Sequence, residues 1–401
     1  MPGRLKLYAA ELEDELKSIL DYWMTFTPDP EYGGFKGKIH TDSHADPQAP
    51  KGSVLNARIL WTFAAAYHLN PQKEYLQMAD RAYAYINDHF IDQEFGGVFW
   101  TVNYKGNPLD TKKQIYAIAF TIYAFSEYYL ASKNEEAKLK AIALYKDLVK
   151  YSYDPKRGGY FEAFTREWQS IEDLRLSDKD ANEKKTMNTH LHVLEAFTTL
   201  YAIWPDPSLK EKIKALLDDF CNHMINPYTG HLNLFLDEDW TIKSEIISYG
   251  HDIEASWLLL EAAEGINEEK AVLKIKELSL KMAEASLKAI DDDGALWYEY
   301  DPAIVHLNRE KHWWVQAESM VGFFNAWQLS SETRYLETSL ANWQFVKDQI
   351  IDHKNGEWFW GIAEDGSVMT AEDKVGLWKC PYHNSRACIE IVKRISGLLN
   401  R

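Results

Sequence analysis

One phrase, a glycine turn followed by aromatic residues, returns six times along the 401 residues and restricts the folds open to this chain. It reads Tyr32-Gly33-Gly34-Phe35, then Phe95-Gly96-Gly97-Val98-Phe99-Trp100, then Arg157-Gly158-Gly159-Tyr160-Phe161. A weaker copy, Thr229-Gly230-His231-Leu232, precedes Asp293-Gly294-Ala295-Leu296-Trp297-Tyr298 and Asn355-Gly356-Glu357-Trp358-Phe359-Trp360. The spacing is about 62 residues, stretched once to about 72, which is the mark of an internal repeat. Each copy reads as a turn leading into a short extended piece. Two helical segments separate successive copies, giving twelve helices in all.

The three- and four-residue spacing of apolar positions predicts helices over Leu7–Phe26, Ser53–His68, Glu74–Phe90, Gln114–Ala131, Glu135–Tyr153 and Thr186–Ile203. The second half adds Leu209–Ile225, His251–Glu264, Lys270–Ile290, His312–Leu329, Thr333–Ile350 and His383–Leu398. Odd-numbered helices carry regular charge, as in Lys138-Leu139-Lys140-Ala141-Ile142. Even-numbered ones are apolar nearly all round, as in Ile115-Tyr116-Ala117-Ile118-Ala119-Phe120, and such helices are buried on all sides. The expected fold is therefore all-α, an (α/α)6 barrel. It is a toroid of six helical hairpins, even helices inside and odd ones outside, with short β-hairpin and loop segments at one end. Length alone would allow two or three domains; the repeat argues for a single catalytic domain over residues 1–401. An open solenoid is the alternative.

A formal charge of −17 argues against a nucleic-acid groove. No apolar run is long enough to cross a bilayer, and Met1 to Lys17 lacks the apolar stretch of a secretory leader. Three cysteines with no C-x-x-C pair suit a reducing compartment, so a cytoplasmic location is expected. The chain is rich in Trp (15) and Tyr (23), residues that fill a helical toroid and also stack on sugar faces. No separate apolar face is left over, so a monomer is expected.

Groups of reactive type collect near the starts of the even helices. Arg58 lies in the first of them, as a structural ion pair or as an anchor for a substrate oxygen. Tyr116 opens the second, where core packing competes with a place in a pocket. Asn188 and His192 share a face of the third, with His190 directed elsewhere. His251 and Glu254 are three apart on the fourth, a spacing that lets a carboxylate hold an imidazole or merely favours the positive end of a helix. Trp314 and Glu318 are four apart on the fifth, either a sugar-grasping pair or a core tryptophan beside a paired acid. His383 opens the sixth, just after Pro381. The polar insertion Thr165–Lys185, containing Asp180, is a solvated flap or a lid. In a closed barrel all these starts meet at one end, where helix termini favour developing negative charge.

Such a set fits two histidines that take and return a carbon-bound proton through an enediolate. A metal site from His192, His251, Glu254 and His383 is a second reading. An inverting hydrolase would need two carboxylates about 6.5–9.5 Å apart, and no convincing pair stands out.

Gly250-His251-Asp252-Ile253-Glu254-Ala255-Ser256-Trp257, His312-Trp313-Trp314 and Trp378-Lys379-Cys380-Pro381-Tyr382-His383-Asn384 together resemble the N-acylglucosamine 2-epimerase superfamily over essentially the whole chain. The likeness is greatest to its disaccharide branch. The resemblance implies reversible epimerisation at C2 of the reducing-end glucose of β-1,4-linked disaccharides, cellobiose to glucosyl-mannose and lactose to epilactose. It implies His251 and His383 as the acid/base pair, with Glu254 tuning His251. Arg58 and His192 would hold the oxygens of the open-chain sugar. Tyr116, Asp180, Asn188 and Glu318 would bind or support substrate, and Trp314 and Trp378 would stack on it with Trp313 in support. It implies neither metal nor other cofactor. Cys380 stands where that pattern has a smaller residue. The alternatives are a mannose isomerase or acylglucosamine epimerase of the same superfamily, a glycoside hydrolase on the same barrel, and a non-catalytic sugar-binding protein.

Overall fold

The computed structural model describes residues 2–400. Twelve α-helices follow one another, in pairs: α1 (Pro2–Phe26), α2 (Ser53–Leu69), α3 (Lys73–Tyr85), α4 (Ile115–Ser132), α5 (Glu135–Ser152) and α6 (Met187–Ile203). Then come α7 (Pro207–Asp219), α8 (Tyr249–Gly265), α9 (Glu269–Leu287), α10 (Trp313–Ser330), α11 (Thr333–Phe345) and α12 (Tyr382–Leu399). A π-helical turn prolongs α3, α7 and α11, over Ile86–Phe90, Phe220–Met224 and Val346–Ile350.

The even helices pack in succession, and α12 packs back on α2, so the inner ring is closed. Each odd helix lies outside against its neighbours. Closure excludes the open solenoid. The burial pattern gives the reason for the sorting. In α4 every residue from Ile115 to Tyr128 is buried, as a helix surrounded by helices requires. In α5 only Ala137, Ala141, Leu144, Tyr145, Leu148 and Ser152 are buried, a single stripe facing inward.

The glycine phrases build the rim. A two-residue strand stands immediately before each of five inner helices and pairs with the chain just after a glycine turn. Lys51–Gly52 pairs with Thr101–Val102, Lys113–Gln114 with Ala163–Phe164 and Lys185–Thr186 with Phe235–Leu236. Ile247–Ser248 pairs with the strand at Glu299, and Lys311–His312 with Gly361–Ile362. The first N–H of each following helix donates to the carbonyl of Trp100, Glu162, Leu234, Tyr298 or Trp360. These five residues hold one equivalent place in the repeat, so helix starts are capped by backbone from the next copy.

A buried ion pair fastens the turns. Asp29, Asp92, Asp154 and Asp352 each accept two turn N–H groups and a lysine ammonium, from Lys51 (2.7 Å), Lys113 (2.8 Å), Lys185 (3.0 Å) and Lys374 (2.5 Å) respectively. In the weak fourth copy Asn226 takes the turn N–H groups. There His231 reaches the buried Asp252 instead (2.6 Å). Glycine is required where Gly34 adopts φ +58°, because a Cβ would fall 2.5 Å from the Tyr85 ring.

Candidate active site

All six inner helices send side chains into one cavity of about 350 Å³ at the rim end of the ring. Arg58 comes from α2, Tyr116 from α4, Asn188 and His192 from α6, His251 and Glu254 from α8, Trp313 and Trp314 from α10, and His383 from α12. Trp378 joins from the segment before α12. The Thr165–Lys185 insertion contributes Leu176, Ser177, Lys179 and Asp180, so it covers the cavity as a lid does. Asp180 is turned back on its own loop, accepting from the Ser177 N–H and hydroxyl, and burial raises its pKa. His190 is held outside the cavity, with Nε2 accepting from Tyr160 N–H and Nδ1 on the Thr186 carbonyl.

One wall carries Arg58, Tyr116 and His192. Arg58 is 3% exposed, yet among the described residues no carboxylate pairs with it. Its guanidinium lies 4.2 Å over the Phe120 ring and 4.9 Å over Tyr382, donates to Tyr116 Oη at 2.8 Å, and leaves Nε without a partner. A buried cation is costly unless compensated, so the structural ion pair is replaced by a charge free to meet a substrate oxygen. His192 packs 5.1 Å from the Tyr116 ring and places Nδ1 2.9 Å from Glu195. The Oδ1 of Asn188 is also buried and unpartnered.

The other wall carries the two histidines most exposed to chemistry. Trp314 lies against both, with ring centroids 4.8 Å from His251 and 5.8 Å from His383. Trp313 backs His383 at 5.4 Å and carries the Lys379 ammonium over its own ring. Trp378 stands between Tyr116 (5.9 Å) and Trp100 (5.8 Å).

Two expected pairings are corrected. Glu254 does not hold His251. The Nδ1 of His251 meets Ser248 Oγ at 2.8 Å, at the N-cap of α8, while Glu254 lies a turn deeper and is drawn to Arg386 at 2.6 Å. Glu318 does not form a sugar-grasping pair with Trp314. It lies beneath the cavity wall and accepts from His383 Nδ1 (2.6 Å), Arg386 (2.6 Å) and Trp257 Nε1 (3.1 Å).

Electrostatics follow from this burial. Enclosure, then the nearby His192, brings His251 down to about 3. Burial, then Arg58 and Arg386, puts His383 well below its ordinary value. Both imidazoles are neutral near pH 7 and available as bases. Burial, then the neighbouring Glu318, pushes the Glu254 carboxyl above its ordinary value, with Oε1 3.9 Å from His383 Nδ1. Burial alone would raise Glu195, but Arg386 and His192 bring it down to about 2.

Glu254, Glu318 and His383 present ligand atoms close enough to meet one metal ion. The cationic place among them is filled by the Arg386 guanidinium, whose Nη2 donates to both carboxylates. The metal set His192, His251, Glu254 and His383 allowed by spacing is not brought to one point: among the described residues the group close enough for one ion is Glu254, Glu318 and His383.

Sequence reasoning missed Glu195, Arg386, Tyr298 and Trp360. Tyr298 and Trp360 line the cavity, and both end their copies of the aromatic phrase at the place whose carbonyl caps an inner helix. That repeat position was the available signal.

A family model described as N-acylglucosamine 2-epimerase (GlcNAc 2-epimerase) matches residues 33–387. A cellobiose 2-epimerase of Bacteroides fragilis is 48% identical over 383 residues, spanning 95% of this chain and 98% of that one. The solved structure of cellobiose 2-epimerase from Bacillus thermoamylovorans superposes with a TM-score of 0.92 at 36% identity, covering 97% of this chain and 100% of that one. A D-mannose isomerase structure shares the fold, with a TM-score of 0.83 at 24% identity over 96% and 98% of the two chains. The closed ring of six hairpins and the length of these matches lead to one conclusion: the chain belongs to the N-acylglucosamine 2-epimerase family.

Proposed function

We propose that this enzyme, a carbohydrate epimerase, reversibly inverts C2 of the reducing-end glucose of β-1,4-linked disaccharides, taking cellobiose to glucosyl-mannose and lactose to epilactose. The observation that carries the reading is the placement of two neutral histidines, His251 and His383, against one tryptophan, Trp314, in a cavity with an unpaired buried guanidinium. The full-length likeness to cellobiose 2-epimerases supports the disaccharide as substrate.

Opening of the pyranose frees the C1 carbonyl and acidifies the C2 hydrogen. One imidazole takes that proton, and the pair of electrons moves onto the carbonyl oxygen to give an enediolate. Arg58, with Tyr116 and His192 beside it, stabilises the developing oxygen charge from a buried position, where such a charge counts for more than in water. The other histidine returns a proton to C2 from the opposite face. The histidine that returns the proton enters the step as imidazolium, its extra proton taken from solvent beforehand, so the step leaves the pair with the charge on the other ring. Protonation at C1 instead gives the ketose. Trp314 and Trp378 offer the sugar faces their stacking surfaces, and Asn188 offers its free Oδ1 to a hydroxyl, while Asp180 holds the insertion that covers them.

The closed ring supports reading the chain as one catalytic domain. Large exposed apolar side chains are scattered apart from Ile304 and Val305 at one hairpin tip, which supports a monomer. No helix among the described residues is long and apolar enough to cross a membrane; the free Cys221, Cys380 and Cys388 support a reducing compartment such as the cytoplasm.

Incubation with cellobiose in deuterated water, read by NMR and mass, tests the function. Glucosyl-mannose bearing deuterium at C2 is the expected product. Free glucose would overturn the epimerase in favour of a hydrolase, and exchange confined to mannose or an acylated amino sugar would overturn the disaccharide.

A further inference from the structure

Arg386 lies on α12 almost one turn beyond His383, is 1% exposed and does not line the cavity. Its guanidinium nevertheless joins three inner helices. Nη1 donates to Glu195 of α6, while Nη2 donates at 2.6 Å to Glu254 of α8 and at 2.6 Å to Glu318 of α10. Two of these carboxylates each hold a cavity histidine by Nδ1, Glu195 holding His192 at 2.9 Å and Glu318 holding His383 at 2.6 Å. One side chain that never touches the cavity therefore stands behind histidines on both walls.

Resting on the epimerase reading, we propose that Arg386 is a positioning residue that fixes His192 and His383 together in the Nδ1–H tautomer. It keeps Glu195 and Glu318 ionised and correctly turned, so each Nε2 is left as the free nitrogen.

The argument is one of charge and geometry. A carboxylate can only accept, so the imidazole nitrogen facing it must carry the hydrogen. A buried carboxylate stays ionised only when paired and hydrogen-bonded. Glu195 is paired by Arg386 and His192 and also accepts from Tyr382 Oη at 2.5 Å. Three carboxylates around one guanidinium exceed its charge; Glu318 has three donors, His383, Arg386 and Trp257, whereas Glu254 has Arg386 alone, so Glu254 is the one left to keep a proton. The Arg386 guanidinium also lies 4.8 Å from the centre of the Trp257 ring and 4.3 Å from that of Tyr382. The groups facing this centre are Arg58 of α2, Tyr116 and Tyr123 of α4, and His192 and Glu195 of α6. Glu254 and Glu261 of α8, Glu318 of α10, and Tyr382 and His383 of α12 complete it. Among them Arg386 alone bonds to both histidine-holding carboxylates.

The test is nitrogen NMR of the full-length protein with labelled histidine, without substrate, on wild type, Arg386→Gln and Arg386→Lys. Wild type should show His192 and His383 as neutral Nδ1–H tautomers. In Arg386→Gln both signatures should change together, and His383 should titrate at least about one pH unit higher, because a positive charge opposing its protonation is gone. The kcat for cellobiose should fall about 100-fold with KM within about threefold, and the acid limb of the kcat profile should move to higher pH. Arg386→Lys should keep the limb near its wild-type position while losing part of the rate. A folded Arg386→Gln protein with both signatures unchanged, or with only one altered, overturns the proposal. If Arg386→Gln does not fold, Glu195→Gln decides: it should release the His192 tautomer and lower the His383 pKa, and an unmoved His383 overturns the shared control. Because these spectra need no turnover, a wild type that ignores cellobiose but shows them would defeat the epimerase reading and leave the tautomer assignment standing.

Discussion

His251 and His383 stand against the same tryptophan but are held by different chemistry. His383 rests on Glu318 at 2.6 Å, and through it on Arg386 and Glu254. His251 rests on the hydroxyl of Ser248 at 2.8 Å. A carboxylate accepts only, so it locks one tautomer and stabilises the imidazolium that forms on proton uptake. A hydroxyl both donates and accepts, so it tolerates either tautomer and lends no charge. The two settings thus give two imidazoles of different proton affinity. Such a difference suits a reaction that must take a proton on one face and release one on the other.

Removing each imidazole tests this contrast most severely. His383→Ala and His251→Ala should each lower kcat for cellobiose by about 10³-fold or more, the range expected of a positioned proton-transfer group. The informative readout is partial exchange in deuterated water. With one base left, each variant should wash hydrogen from C2 of one epimer only, and the two variants should choose opposite epimers. If both exchange the same epimer, the histidines do not serve opposite faces and the contrast between their supports is irrelevant to the chemistry.

A smaller effect is expected one layer back. Glu318→Gln keeps the shape but removes the charge that backs His383. A fall in kcat of about 100-fold with KM changed less than about threefold is expected, since the interaction matters as the imidazolium forms. Loss confined to KM would instead make Glu318 a binding group.

How much of this could be read from residues alone differs between fold and site. The ring was legible because its signal is spread over the chain: six glycine phrases, and helices such as α4 and α5 whose burial differs all round. The site was legible in its members and not in its wiring. Arg58, Tyr116, Asn188, His192, His251, Glu254, Trp314 and His383 do meet in one cavity. Yet the chain holds two His-x-x-Glu spacings, and the weight fell on the wrong one. At His192 and Glu195 the spacing is a bond of 2.9 Å; at His251 and Glu254 it is not. Spacing fixes only what can reach. At α8 Ser248 claims the histidine and Arg386, remote in sequence, claims the acid. Arg386 is one of three cations on a helix that also carries Lys393 and Arg394, and only ring closure brings it to Glu195, Glu254 and Glu318.

The least effect should come from Ser248→Ala, and its smallness is what gives the comparison its meaning. A neutral hydrogen bond contributes about 0.5–1.5 kcal/mol net, so a loss of about three- to tenfold in kcat is expected, against about 100-fold for Glu318→Gln. His251 would keep its place, because Trp314 packs on it at 4.8 Å whatever Nδ1 does. Its proton affinity would barely move, because no charge is removed. The acid limb of the kcat profile should therefore stay put in Ser248→Ala while it shifts in Glu318→Gln. There the loss of a negative charge beside His383 lowers the affinity for a proton and carries the limb to lower pH. A Ser248→Ala variant as damaged as Glu318→Gln would mean that the hydroxyl relays the proton itself, and the two histidines would then differ in the route of the proton rather than in the strength of the base.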